Sequence, residues 1–76
     1  VSRTAIVMVT ERKAGLEATE RLVREFRGCY SAGAVISEVM VCRATLLRAG
    51  VRSGLAEATE AMARCRLSNR LGVSQQ

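Results

Sequence analysis

At 76 residues the chain has room for one domain, and a fold of this size buries only roughly 60% of the surface its unfolded form exposes, so a partner surface would add to a thin stability margin. The composition is 49% hydrophobic but only 3% aromatic, with no proline or tryptophan; this favours close helix packing over a strand-rich sandwich and offers bases little to stack on. Twelve Lys and Arg, eleven of them Arg, against seven Glu give a formal charge of +5, which permits contact with nucleic acid or an acidic surface without requiring it.

The three cysteines cannot all pair with one another, and the absence of histidine removes a Cys/His zinc set. Oligomerisation is the reinforcement left to so small a fold. No metal and no cofactor are expected. No apolar run approaches the roughly 18–20 residues that span a bilayer, and Ala5–Val9 is too short for a signal-peptide core. The expectation is a cytoplasmic protein without a membrane partner.

Residues 1–10 (VSRTAIVMVT) are ambiguous, because the apolar run Ala5–Val9, with β-branched Ile6, Val7 and Val9, suits a short strand or an early helical turn; they are read as an extended or tail segment. A helical pattern begins at Glu11, with Leu16, Thr19, Leu22, Val23 and Phe26 on one side. Glu17 with Arg21 and Glu20 with Arg24 stand in favourable i,i+4 order opposite. Gly28 is placed as a left-handed stop, and Ser31 offers a side-chain oxygen to start a second helix.

That helix is expected from about Ala32 to Ala49, with Val35, Val39, Cys42 and Leu46 on one stripe and Ile36, Met40 and Leu47 beside it. So wide an apolar face calls for two neighbours. Gly50 ends it, and Ser53 reads as the N-cap of a third helix whose inward stripe is Leu55, Ala58, Met62 and Cys65. Glu57 and Glu60 fall early in that helix, Arg64, Arg66 and Arg70 toward its end, as the helix dipole prefers, and Gly72 is a stop. The fold class is therefore all-α, a three-helix bundle over residues 11–72 with the extended segment before it and a polar tail, 73–76, after it.

Enzyme signatures are missing. There is no Gly-rich phosphate loop, no histidine for a nucleophile relay and no aspartate, and the glutamates read as a solvated helix face. No catalytic residue is assigned. Cys42 and Cys65 read as small buried hydrophobes and Cys29, in a turn, as the exposed one. Cys42 and Arg48 have the spacing of a Cys-x5-Arg phosphate loop, but the residues between them read as helix interior without glycine.

Arg43, Arg48, Arg52, Arg64, Arg66 and Arg70 could form a basic patch for phosphates. The order strand, helix, helix also matches ribbon-helix-helix repressors, with Arg3, Ala5, Val7 and Val9 alternating against Thr4, Ile6 and Met8. That set has one polar reader, and the third helix is surplus to such a fold.

The residues Arg21-Leu22, Glu25-Phe26, Gly28, Val35, Val39, Val51, Leu55 and the closing stretch Glu60–Leu67 (EAMARCRL) carry a resemblance. From Leu22 to Leu67 the pattern resembles the small three-helix-bundle dimerisation domains of actinobacterial proteins, which often precede phosphatase-like or arsenate-reductase-like domains. The resemblance implies a bundle that self-associates, with phosphatase chemistry residing in a domain this chain lacks.

The leading expectation is a non-catalytic helical protein-interaction module that forms a homodimer, with Ile36, Met40, Leu47, Ile6 and Met8 as candidate interface residues, because Val35, Ile36, Val39, Met40, Leu46 and Leu47 offer more apolar surface than two short neighbours cover. The alternative is a small DNA-binding transcriptional regulator of helix-turn-helix or ribbon-helix-helix type using the six arginines named above.

Overall fold

A computed structural model describes residues 3–72, with side chains from Val9 onward. It contains three helices, α1 (Arg3–Glu25), α2 (Ala32–Arg48) and α3 (Leu55–Gly72). Among the described residues there is no strand. The segment expected to be extended is instead helical from Arg3, in one piece with the rest of α1. A β-branched run of this length does not choose its state locally, and continuity with a strong helix downstream carries the hydrogen-bond ladder through it, since propagation is far cheaper than nucleation. The side chains of Ile6 and Met8, and the tail Val73–Gln76, lie outside the described residues.

The turns follow the glycines. Gly28 takes a φ of 92° after α1, and Gly50 one of 91° after α2, in the left-handed region that a side chain disfavours. At Gly50 the stop is a Schellman motif, in which Gly50 N–H donates to the Leu47 carbonyl and Val51 N–H to that of Leu46, each at 3.0 Å. Ser31 caps α2 as expected, its Oγ accepting from Ala34 N–H at 3.1 Å.

The start of α3 differs from expectation. Gly54, not Ser53, is the capping position, since its carbonyl accepts the first helical bond, from Ala58 N–H at 2.9 Å. Glycine brings no capping side chain, and the Glu11 carboxylate of α1 supplies one, accepting from Ala56 N–H at 3.2 Å. Glu11 near Ala56, Arg21 on Glu60 and Glu25 on Arg64 ascend both helices together, so α1 and α3 run parallel, with α2 antiparallel to both. Arg3–Thr10 carries α1 past the start of α3, and the molecule is a thin, elongated slab of 49 × 24 × 15 Å.

The core joins Leu22 of α1 and Phe26 just after it, Val35, Val39 and Cys42 of α2, and Ala63 and Leu67 of α3. Phe26 meets Tyr30 edge to face, ring centroids 5.8 Å apart, and the Tyr30 hydroxyl donates to the Leu67 carbonyl at 2.9 Å, tying the α1–α2 turn to the end of α3. The fully buried stripe of α3 is Ala56, Thr59, Ala63 and Leu67; of the expected Leu55, Ala58, Met62 and Cys65, Met62 is partly buried against the core and Cys65 is exposed. Small residues make the buried seam because they let helix backbones approach closely, and their weak hydrophobic signal is masked by larger neighbours. Leu16, also expected inside, is 64% exposed, while Ala18 takes the inward place. The helix α3 packs along both α1 and α2, whereas α1 and α2 meet each other over a shorter stretch, and this asymmetry opens the site described next.

Candidate functional site

Between α1 and α2, with α3 at its base, lies an open cleft of about 650 Å³. Its floor is Ala18, Leu22, Val39, Ala56 and Thr59, and its apolar lip is Leu16, Ile36 and Met40. A second groove, of about 510 Å³, continues it along the same helices and shares Leu16, Thr19 and Ile36, adding Val23 and Ala32. Leu16 and Met40 are 64% and 66% exposed, so two large apolar side chains stand in water beside a floor that is itself covered. The Thr59 hydroxyl is buried without a hydrogen-bond partner.

Helical spacing creates the lip. Ile36, Met40, Arg43 and Leu47 lie at i, i+4, i+7 and i+11 on one face of α2, and the buried stripe Val35, Glu38, Val39 and Cys42 runs beside it. Three of the predicted interface residues, Ile36, Met40 and Leu47, are therefore on one exposed face; Ile36 and Met40 line the cleft and Leu47 lies further along α2.

The charges divide into two sets. Glu60 sits between Arg21, at 2.7 Å, and Arg64, at 2.9 Å; Arg64 also reaches Glu25 at 2.9 Å. Hydrogen bonds from Arg21 first, and then from Arg64, hold the Glu60 carboxyl down to about 2. On the other face of α3, Glu38 is buried and receives Arg66 Nε at 2.6 Å and Arg70 Nη2 at 2.9 Å. The Cys42 thiol donates to the same carboxylate at 3.6 Å, and burial, followed by that contact, pushes the thiol pKa up.

The intrahelical pairs Glu17–Arg21 and Glu20–Arg24 do not close, and most ion pairs cross between helices instead. The buried Glu38 was invisible in the sequence as anything but another helix-face glutamate; the signal was its place three residues after Val35 and four before Cys42, inside the apolar stripe.

Of the six arginines expected to form a basic patch, Arg64, Arg66 and Arg70 are held by internal carboxylates. Arg43, Arg48 and Arg52 make no ion pair among the described residues, and Arg43 and Arg52 line the cleft together with Arg12, which the sequence reading had not singled out. Cys42 and Arg48 belong to one continuous helix, so no phosphate loop forms between them. Among the described residues no group of His, Cys, Asp or Glu is arranged to hold a metal ion, and no helix is long and apolar enough to cross a membrane.

Comparison with protein-family models, with curated proteins and with solved structures gives no match to this chain.

Proposed function

We propose that this chain is a non-catalytic helical protein-interaction module whose docking face is the α1–α2 groove. The observation that carries the reading is the cleft of about 650 Å³ with Leu16, Ile36 and Met40 exposed along its lip. A groove between two helices, apolar within and polar at its margins, suits a third amphipathic helix whose anchors recur at three- and four-residue spacing. A small domain with a thin core gains stability when such a face is covered. The three free cysteines suit a reducing, cytoplasmic setting.

The nucleic-acid reading draws less support, because three of its six arginines already satisfy buried or bridging carboxylates and would have to leave them to reach phosphates.

The test is the backbone amide spectrum of the chain during titration with amphipathic helical peptides, alongside its molar mass by light scattering. Shifts are expected around Leu16, Ile36 and Met40, with the Glu38–Arg66–Arg70 face undisturbed. A chain that stays monomeric at high concentration and shows no shift with any peptide would sink the reading.

A further inference from the structure

Charge, length and symmetry together narrow what the groove accepts. Five arginines line it, Arg12, Arg43 and Arg52 in the cleft and Arg24 and Arg27 in its continuation, and none has an ion pair among the described residues. The lining carboxylates offset them only in part. Glu60 is held between Arg21 and Arg64, and Glu11, which keeps its charge while accepting from the neutral Ala56 N–H, and Glu20 stand against the five arginines. The groove is thus apolar along its centre and net cationic along its margins.

We infer that this groove takes up an acidic amphipathic helix of another protein, its apolar side chains against Leu16, Ile36 and Met40 and its carboxylates on Arg12, Arg43 and Arg52. The inference rests on the docking-face reading above and adds the chemistry of the occupant. Carboxylates suit these positions because guanidinium groups bind them bidentately and steer their approach. The lining runs from Glu11 on α1 to Arg27 just past its end, about 24 Å at a helical 1.5 Å per residue, so the occupant is a helix of about 16 residues.

A second copy of this chain fits less well. A two-fold contact sets the same patch on both subunits, which would bring two grooves of net positive charge against each other on chains that each carry +5. A nucleic-acid duplex would meet the arginines with phosphates but leave Leu16, Ile36 and Met40 without an apolar partner.

The experiment uses the 76-residue chain and capped synthetic peptides of about 16 residues, with leucines at three- and four-residue spacing flanked by glutamates, in every helical register. A matching set carries lysine in place of each glutamate, and an unspecific DNA duplex serves as a third probe. Affinity is read by fluorescence anisotropy, mass by light scattering, and folding of each variant by its helical circular dichroism.

The best acidic peptide is expected to bind at least about tenfold more tightly than its lysine counterpart, a difference of about 1.4 kcal/mol. The triple variant Arg12→Glu, Arg43→Glu, Arg52→Glu should reverse that preference, and Met40→Asp should abolish binding of both sets. Because all four positions are exposed, these variants are expected to keep the fold.

Equal binding of acidic and lysine peptides, lost with Met40→Asp, would overturn the acidic partner and leave the docking face standing. A mass near twice 8.2 kDa for the chain alone, reduced to one copy by Met40→Asp, would name the second copy as occupant and overturn the inference in the same way. Duplex binding that falls steeply with salt, with no peptide bound, would overturn both.

Discussion

Burial beside the Glu38 carboxylate leaves Cys42 a poor nucleophile, since only the thiolate reacts and both influences disfavour it. Cys29 and Cys65 are exposed and differ from Cys42 in access as well as environment. In the folded chain a maleimide should therefore modify Cys29 and Cys65 and spare Cys42, which reacts only in denaturant. Mass spectrometry of the labelled chain checks this, and labelling of Cys42 as fast as Cys65 would show that α2 and α3 do not enclose it. The same residue-scale logic explains Glu38. With its carboxylate buried, it persists there because Arg66 and Arg70 reach it from α3 and their own exposed ends remain in water.

At the scale of elements, the start of α3 depends on α1. A helix N-terminus leaves its first N–H groups unsatisfied, and the sequence neighbour best suited to cap them, Ser53, does not do so; Glu11 reaches across from the other helix. Glu11→Ala should cost about 1 kcal/mol, the usual worth of a lost cap, whereas Ser53→Ala should leave stability nearly unchanged. Urea denaturation midpoints measure both. An equal loss at the two positions would mean that α3 is capped locally and that α1 is held by packing alone. Because Glu11 also lines the cleft, this bond couples the shape of the cleft to the packing of α3 on α1.

For the whole molecule, the link between α1 and α3 is electrostatic as well as apolar. Glu60 bridges Arg21 of α1 and Arg64 of its own helix, and Arg64 continues to Glu25. The Glu60 pKa is lowered from its ordinary 4.5 to about 2. A carboxyl depressed in the folded state favours folding fully above its unfolded pKa, and that contribution is lost as pH falls through the folded value. Stability should therefore decline between pH 4.5 and about 2, and Glu60→Gln should lower stability at neutral pH while flattening that acid limb. Thermal melts across the pH range would show it; an acid limb of unchanged slope in Glu60→Gln would assign the decline to other carboxyl groups. The arginines around the cleft, Arg12, Arg43 and Arg52, take no part in this network.

The sequence by itself determined three helices and their turns, because periodicity, Gly28, Gly50 and Ser31 are local signals that act through backbone geometry. It also marked Ile36, Met40 and Leu47 as surplus apolar residues, since α2 is hydrophobic over more of its circumference than one neighbour can cover. Only the tertiary structure decided the rest. That Arg3–Thr10 is helical depended on the helix it continues, not on its own β-branched residues. Which face of α3 turns inward depended on how closely helices approach, which favours Ala56, Thr59 and Ala63 over the larger Leu55 and Met62. Which arginines are free depended on pairings between helices, such as Arg64 on Glu25 and Arg66 on Glu38. Spacing within one helix cannot reveal these, because charge contacts form wherever packing brings the side chains together.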